Sequence, residues 1–311
     1  PTPSPQTTLP PQAWHAPLLI RGSLACHVGA AVSVAPQPDL WPWALGAVAL
    51  NQAVLTVAGL TPRCDWLGEN IRRLPDAAAS RGEIALTFDD GPDPQVTPAV
   101  LDMLDAAGAK ATFFCIAQLA RQHRALCLDI VQRGHSVQNH SDRHGLSFAM
   151  SGLRGFTREV NNAQATLREI TGQAPIFFRA PAGIRNPLLG PVLERSQLRL
   201  VSWTRRGFDT VQRRPQRVLE RLARGLAGGD ILVLHDGNSA RSRGGQDVVL
   251  ATLPLLLSRI AQQRFVQVRL IERPHEAPIA AQTAAISSSA CMVITPWFLS
   301  AERNSSTLEP A

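Results

Sequence analysis

The stretch Glu83-Ile-Ala-Leu-Thr-Phe-Asp-Asp-Gly-Pro-Asp93 decides the fold, because it is an apolar, β-prone run that ends in two adjacent carboxylates and a turn. Successive side chains of an extended segment point to opposite sides, so Asp89 and Asp90 can serve two different partners. Gly91-Pro92 ends the strand at this point. A polar turn without any chemistry has the same local sequence. The rest of the chain must decide between these two interpretations.

From residue 81 to residue 273, short apolar or β-branched runs alternate with amphipathic stretches. Apolar residues recur at helical spacing in Thr157–Ile170 and Val248–Gln262. This alternation predicts right-handed βαβ crossovers and a parallel sheet of about seven strands, enough to curl into a barrel whose active site forms at the carboxyl ends of the strands. The predicted strands are Glu83–Phe88, Ala111–Ile116, His135–Asn139, Ile176–Arg179, Leu198–Trp203, Asp230–His235 and Phe265–Leu270.

Polar residues follow several of these predicted strands. His140 and His144, four residues apart after the third strand, fall on one face of a helical turn at chelating distance. A pair with this spacing is also a frequent surface coincidence. Two His with one Asp from another strand end would leave an open position for water, which is the form of a catalytic zinc site.

Three further polar residues stand at later strand ends. Arg179 either belongs to an ordinary Pro-Gly turn or pairs with an Asp and keeps that carboxylate ionised. Asp209 brings another carboxylate after the fifth strand, and His235 ends the sixth. A lone His in this position is commonly a buried core residue, but its place in a series of polar strand ends favours catalysis.

Five segments in order resemble the motifs of the polysaccharide deacetylase family, the NodB-homology group or carbohydrate esterase family 4. The resemblance covers about Arg81 to Arg273 and departs from the family in the fourth motif, where Asp-Trp is common and this chain has Asp209-Thr210. The segments are Thr87-Phe-Asp-Asp-Gly-Pro92, His140-Ser-x-x-His144, Arg179-x-Pro-x-Gly183, Trp203 to Asp209, and Leu232-x-Leu-His235-Asp236.

This resemblance implies a distorted (β/α) barrel and the metal-dependent removal of N-acetyl groups from a glycan such as chitooligosaccharide, peptidoglycan or exopolysaccharide. The implied ligands of Zn²⁺, or of Co²⁺, Mn²⁺ or Ni²⁺, are Asp90, His140 and His144. Asp89 would be the general base oriented by Arg179, and His235 the general acid oriented by Asp209. The implied substrate-facing residues are Pro181, Gly183, Trp203, Leu232 and Leu234, with the two leucines forming an apolar pocket for the acetyl methyl group.

Two other functions are compatible with the same motifs. A related metal-dependent hydrolase could act on O-acetyl groups or small amides, since the loops around a pocket set that choice. A catalytically silent glycan-binding module is the alternative from a different class, and the complete set of ligands and proton-transfer residues argues against it.

The composition describes a folded protein with a basic surface. The chain has 311 residues, 45% of them hydrophobic and 18% charged, with a net charge of +7. This charge favours anionic surfaces such as membranes or acidic polymers, although the arginines look scattered. Nucleic-acid motifs and tyrosines are absent, and five cysteines without a CxxC spacing indicate neither a disulfide framework nor a cysteine zinc site. No obligate protein partner is inferred.

An apolar region precedes the barrel. Leu40 to Leu60 is uncharged over 21 residues, about the ~20 that a membrane-spanning helix needs. Leu18–Ala35 is also apolar, apart from Arg21 and His27. Residues 18–62 therefore predict a membrane hairpin, with a helical pair packed on a soluble domain or a signal peptide ending at Ser33-Val-Ala35 as alternatives.

The remaining segments complete the predicted organisation. Residues 1–17 and 274–311 are rich in small and polar residues and are expected to be disordered, and residues 63–80 are expected to be a linker. Arg63, Arg72 and Arg73 after the hairpin favour a domain on the cytoplasmic side of a bacterial inner membrane.

Overall fold

A parallel sheet is the framework of the chain. The computed structural model describes residues 14–145 and 147–270. The strands of these described residues are β1 Glu83–Asp89, β2 Thr112–Cys115, β3 Ser136–Asn139, β4 Phe177–Phe178, β5 Arg199–Leu200, β6 Arg205–Arg206, β7 Ile231–His235 and β8 Val266–Val268. The sheet order is β5-β4-β3-β2-β1-β7-β6, and β8 pairs with the first residues of β1.

The predicted α/β fold with about seven parallel strands is confirmed. Each of the seven predicted runs contains a strand, and every pairing between named strands is parallel. Strand β6 was not predicted, because two residues are too few to show a sequence period. Strands β5 and β6 end the sheet without pairing to one another among the described residues, so the sheet forms a half-barrel.

Helices cover the outside of the sheet and precede it. They are α1 Leu18–Val34, α2 Trp41–Leu60, α3 Asp76–Ser80, α4 Thr97–Ala106, α5 Ala117–Gln122, α6 Arg124–Gln132, α7 Leu153–Thr171, α8 Leu189–Arg195, α9 Pro215–Ala223 and α10 Val248–Gln262. Helix α7 contains the predicted helical stretch Thr157–Ile170, and α10 has the predicted bounds.

Alternation along β1 separates the core from the site. Ile84, Leu86 and Phe88 are fully buried in the cluster beneath the outer helices. Burial of each such side chain contributes roughly 1.5–3 kcal/mol. Thr87 and Asp89 occupy the alternate positions and therefore point into the barrel interior. The two-residue alternation that places Leu86 and Phe88 in the core therefore also places the Asp89 carboxylate on the inner side at the end of β1.

The segment predicted as a linker, residues 63–80, is part of the barrel. Ile71 N donates to Leu200 O at 2.9 Å, and Ser202 N donates to Ile71 O at 2.8 Å. Leu74 N donates to Gly229 O at 2.8 Å, just before β7. The segment therefore joins the β5 side of the half-barrel to its β7 side. Apart from the five-residue helix α3, its backbone is irregular. It has no helical or strand period long enough to detect, which is why the sequence did not reveal this role.

Helices α1 and α2 form an antiparallel hairpin with a polar contact between the two helices. Asn51 Nδ2 donates to Ser23 Oγ at 2.9 Å, and Gln52 Nε2 lies 3.2 Å from His27 Nε2. The outward apolar side chains are largely exposed, among them Leu18, Leu24, Val28, Val32, Trp41, Trp43, Leu45 and Leu50. By length and composition, Pro38–Leu60 is long and apolar enough to cross a bilayer.

The terminal predictions fall mostly on residues that the structure does not describe. Residues 1–13 of the predicted disordered start and the whole predicted tail, 274–311, lie outside the described ranges.

The base of the hairpin packs on the barrel domain. Ala58, Cys64 and Leu67 form a small buried cluster there. Gly59 O accepts a hydrogen bond from Arg185 N at 3.1 Å. A Cβ atom added to Gly59 would lie 2.3 Å from Arg185 O, whereas one added to Gly46 in the same helix would meet nothing within 4 Å. The absence of a side chain at residue 59 therefore permits this contact.

We expect Gly59→Ala to loosen the hairpin from the barrel, because overpacking against a backbone oxygen costs roughly 1–3 kcal/mol. The control Gly46→Ala places the same methyl group in open space and should be neutral or stabilising, since Ala is the better helix former. Denaturant unfolding of the full chain in mild detergent measures both variants. Equal free energies of unfolding for the two variants would contradict the packing.

Candidate active site

Three potential metal ligands come together at the carboxyl ends of β1 and β3. Asp90 Oδ1 lies 3.2 Å from His140 Nε2 and 3.1 Å from His144 Nε2. One ligand atom from each of the three residues lies within 4.8 Å of the others. Two imidazoles and one carboxylate form a donor set suited to Zn²⁺ and to neighbouring divalent metals.

The hydrogen bonding of His140 supports a cation at this cluster. Its Nδ1 lies 2.8 Å from Arg179 O, and a carbonyl oxygen only accepts, so Nδ1 carries the hydrogen. In the neutral ring, the lone pair of Nε2 then faces Asp90 Oδ1. Two facing lone pairs repel unless a positive charge lies between them. The residues present therefore fit a bound metal ion.

Charge around Asp90 favours its ionised form. Burial acts to raise the pKa of Asp90, but the neighbouring His140, together with His235 and His144, outweighs burial and holds that pKa well below its ordinary value. Burial, together with the neighbouring His140, lowers the pKa of His144. A carboxylate and a neutral imidazole are the forms that bind metals.

The backbone is strained around the cleft. Four non-glycine residues that line the cleft have left-handed φ values: Asp90 (70°), His144 (54°), Ala182 (54°) and Asn238 (60°). This region is uncommon for residues with a Cβ, and such strain clusters at functional sites. The loops at this edge of the sheet thus hold side chains in directions that relaxed turns would not give.

Arg179 is a fully buried cation paired with Asp89. Its Nη1 donates to Asp89 Oδ1 at 2.6 Å and to Thr87 Oγ1 at 2.8 Å, and its Nη2 donates to Ser202 O at 3.0 Å. The guanidinium carbon lies 4.0 Å from the ring centroid of Phe114. Burial lowers the pKa of Arg179, and the charge of Asp89 opposes that shift. These contacts fix the carboxylate of Asp89 at the edge of the cleft.

Asp209 holds His235 by two hydrogen bonds. His235 Nδ1 lies 2.9 Å from Asp209 Oδ1, and His235 N donates to Asp209 Oδ2 at 2.8 Å. Burial acts to lower the pKa of His235, but Asp209, together with Asp89 and Asp90, outweighs burial and raises that pKa. The imidazolium form therefore persists to higher pH than in an ordinary histidine. Because Nδ1 faces a carboxylate that only accepts, Nε2 remains for a substrate.

Asp236 supports the loop that follows β1. Its Oδ2 accepts a hydrogen bond from Thr97 Oγ1 at 2.6 Å, while its Oδ1 is buried without a hydrogen-bond partner among the described residues. Burial raises the pKa of Asp236 to about 7, against the lowering effect of Thr97. A Cβ added to Gly91 would lie 2.2 Å from Asp236 Oδ2. Only a glycine lets the Asp-Asp-Gly turn approach this carboxyl group.

The residues predicted to face the substrate are divided between the cleft and the core. A cleft of about 120 Å³ is lined by Gly183 and Trp203 and also by Val233. Leu232 and Leu234 are instead buried in the outer core, so the prediction that they form a pocket at the cleft is wrong. Alternation along β7 explains the difference, because Val233 and His235 share the inner face. Pro181 is buried beside the cleft and is not among its lining residues.

Several residues at the site were missed by sequence analysis. Thr87 accepts a hydrogen bond from Arg179 and lies two positions before Asp89, so strand alternation was the available signal. Arg206, Thr210 and Asn238 also line the cleft. Arg206 lies in the two-residue strand β6 and Asn238 in a bend, and neither position shows a sequence period. Thr210 was marked only by its departure from the Asp-Trp pair of the family.

Comparison with known proteins agrees with this geometry. Residues 76–201 match the family model described as polysaccharide deacetylase. A peptidoglycan-N-acetylglucosamine deacetylase of Bacillus cereus is 31% identical over 189 residues, which cover 60% of this chain and 85% of the relative. The chain belongs to the polysaccharide deacetylase family. This confirms the resemblance to the NodB-homology group, carbohydrate esterase family 4, and the prediction of an enzyme of this type.

Two further similarities extend the comparison. A chitooligosaccharide deacetylase of Azorhizobium caulinodans is 30% identical over 193 residues, covering 60% of this chain and 91% of that protein. The crystal structure of a CE4 family pseudoenzyme from Bacillus anthracis has a TM-score of 0.58 and 18% identity, and the match covers 65% of this chain and 67% of that one. At that identity the likeness concerns the fold alone.

We expect Asp209→Asn to lower the pKa of His235, because burial would then act without the opposing carboxylate. The raised pKa means that the Asp209–His235 pair stabilises the fold below the ordinary histidine pKa of ~6.5 and loses this effect as pH rises through the folded value. NMR titration of the His235 imidazole measures the shift.

The control for this titration is Asp247→Asn, a carboxylate that pairs with Arg241 rather than with His235. It should leave the titration of His235 unchanged. An unaltered pKa in Asp209→Asn would show that Asp209 does not set the charge of this ring.

Proposed function

We propose that the chain is a metal-dependent glycan deacetylase that hydrolyses N-acetyl groups. One observation carries the proposal: a three-ligand cluster shares a single cleft with a buried Asp89–Arg179 pair and a buried His235–Asp209 pair. Amide hydrolysis needs a base, an acid and a centre of positive charge, and this cleft offers a candidate for each.

Asp90, His140 and His144 would hold the metal. A divalent ion bound there, Zn²⁺ or a similar metal such as Co²⁺, Mn²⁺ or Ni²⁺, would lower the pKa of water and polarise an acetyl carbonyl. His140 is oriented by Arg179 O through its Nδ1 hydrogen. Such partners of a ligating imidazole fix its ring and raise its basicity.

Asp89 is the proposed general base. Its carboxylate lines the cleft and is held at Oδ1 by the fully buried guanidinium of Arg179. A carboxylate fixed in this way beside the proposed metal ligands is positioned to accept a proton from an attacking water. Arg179 does not line the cleft and acts on the reaction only through Asp89.

His235 is the proposed general acid, positioned by Asp209. Its Nδ1 faces Asp209, so the Nε2 hydrogen is available to the cleft, where it would protonate the departing sugar amine. A positioned acid of this kind contributes about 10²- to 10⁴-fold in rate.

Acetylated chitooligosaccharide and peptidoglycan are the substrates that the relatives suggest. The Bacillus cereus and Azorhizobium caulinodans relatives are named as deacetylases of these two glycans. Hydrolysis of O-acetyl groups or small amides uses the same groups and is the second candidate. A silent glycan-binding module is the third, and the pseudoenzyme with this fold shows that the fold alone does not decide between them.

We propose further that the α1–α2 hairpin anchors the enzyme in a bacterial inner membrane. Pro38–Leu60 is long enough to span it, and the apolar side chains of both helices face outward. The tip of the hairpin carries Asp39 and no Lys or Arg, whereas Arg63, Arg72 and Arg73 follow its base. This asymmetry favours a catalytic domain on the cytoplasmic side.

Acetate release tests the proposed reaction. The purified full chain in mild detergent is incubated with acetylated chitooligosaccharides, peptidoglycan and an O-acetylated glycan, with and without added Zn²⁺. We expect metal-dependent acetate release from an N-acetylated substrate. Release only from the O-acetylated glycan would favour the second candidate, and no release by the metal-loaded protein would favour the binding module.

Two variants of neighbouring carboxylates separate the proposed metal and proton roles. Asp90→Ala should lose both metal binding and turnover, because it removes a ligand. Asp89→Asn should keep the metal and lose turnover, because it removes the proton acceptor without removing a ligand. Calorimetric titration with Zn²⁺ and acetate release measure the two properties separately. Retained zinc affinity in Asp90→Ala would refute the ligand assignment.

His235→Ala should bind metal and substrate normally with kcat lowered about 10²- to 10⁴-fold, since only the acid is lost. Steady-state kinetics on the chitooligosaccharide measures kcat and KM separately. A nearly normal kcat would remove His235 from the reaction.

A further inference from the structure

An arginine surface on α9 lies outside the catalytic machinery. The segment from Arg213 to Arg224 contains five arginines and one acidic residue, Glu220, a local charge of +4 against +7 for the whole chain. The sequence suggested scattered arginines, but the structure collects these on one side of the domain. We define the α9 arginine surface by four residues that line one open groove of about 440 Å³: Arg214, Arg217, Arg221 and Arg224.

Helical spacing explains why these arginines share a face. Val218 and Leu222 of α9 are fully buried against the domain, so the helix is fixed about its axis. Positions 214, 217, 221 and 224 repeat at three and four residues and lie on an exposed side of the helix next to this buried edge. Glu220 pairs with Arg217 at 3.2 Å in an exposed contact and is the one acidic residue among the described residues that line the groove. The groove therefore keeps a strong positive charge.

Apolar side chains stand within this positive surface. Phe208 is 44% exposed, with its ring 5.3 Å from the guanidinium of Arg221 and 5.2 Å from that of Arg206. Val211, in the turn that follows, is 73% exposed. An acidic polymer in water offers no apolar environment for an exposed valine. A lipid surface does, because apolar side chains insert among its headgroups.

Hydrogen bonds connect the base of the hairpin to the end of α9. Arg63, three residues beyond the end of α2, donates from Nη1 to Thr204 O at 3.2 Å. Arg205, the residue after Thr204, donates through its guanidinium to the carbonyl oxygens of Arg224 and Gly225 at the end of α9. A short path of bonded residues thus connects the proposed membrane anchor to the positive groove.

We propose that the α9 arginine surface binds the anionic headgroups of the membrane in which the hairpin is anchored. The inference rests on the proposed anchor and adds a second contact, between phosphate groups and guanidinium groups, with Val211 entering the headgroup layer. Arginine is suited to phosphate because it donates two parallel hydrogen bonds. The contact would hold this side of the domain against the bilayer and limit the tilt of the hairpin and the domain as one unit.

Nanodiscs of two lipid compositions test this contact in the full chain. An environment-sensitive dye is attached through Val211→Cys, in a chain that also carries Cys26→Ser and Cys291→Ser. Incorporation into phosphatidylcholine discs tests the anchor alone. We expect the dye emission to shift to shorter wavelength when phosphatidylglycerol is included, and the shift to be lost at high salt, because Debye screening weakens the contact.

Arginine variants test whether the α9 arginine surface causes the shift in dye emission. Replacing Arg214, Arg217, Arg221 and Arg224 by Gln should abolish it, and each single replacement should weaken the phosphatidylglycerol dependence roughly fivefold. The control replaces Arg154, Arg158 and Arg168 of α7 by Gln, three exposed arginines on another helix. Chitooligosaccharide deacetylation by every variant reports that the fold and the active site are intact.

Two results would overturn the inference. The first is equal dye emission in discs with and without phosphatidylglycerol. The second is an equal shift when polygalacturonate is added to phosphatidylcholine discs, which would assign the surface to acidic polymers. Failure of chitooligosaccharide turnover with a normal lipid-dependent shift would instead count against the proposed reaction and leave the lipid contact standing.

Discussion

The ion pair between Arg179 and Asp89 is the constraint on which the barrel interior depends. A fully buried guanidinium is costly unless its donors are satisfied, and loss of one partner of such a pair costs about 3–5 kcal/mol. Here the donors reach a carboxylate on β1, a hydroxyl on β1 and backbone oxygens after β5. Strands on both sides of the half-barrel are thereby held around one cation. Arg179 O also orients His140, so a single residue links the two proposed functions of the cleft.

The fold was predictable because its signals are periodic. The run ending at Asp89 has an apolar alternation that placed Leu86 and Phe88 in the core and the carboxylate at the strand end. Helix α10 was found at its observed bounds from apolar spacing alone. Residues 63–80 had no such period, and their role depends on backbone hydrogen bonds to distant strands. Backbone pairing of an irregular segment leaves no trace in residue type.

At the candidate site, the motifs identified residues but did not give the directions in which their side chains point. Ordered motifs named Asp90, His140 and His144, and the structure brings these side chains together. The same motifs assigned Leu232 and Leu234 to the cleft, although alternation from His235 places them on the opposite face of β7. The α9 arginines are a similar case, since their spacing becomes a surface only once Val218 and Leu222 fix which side of the helix is buried.

The segment around Ile71, which joins the two sides of the half-barrel, limits how far the catalytic domain can move from the hairpin. A catalytic domain on a flexible tether samples a volume that grows with the length of the tether. The catalytic domain of this chain lacks that freedom, because residues 63–74, which follow α2 closely, are hydrogen-bonded to Leu200, Thr204 and Gly229. The cleft therefore keeps a nearly fixed distance and direction from the base of the hairpin. With the hairpin in a membrane, as proposed, the enzyme would select its glycan by the distance of each acetyl group from the bilayer.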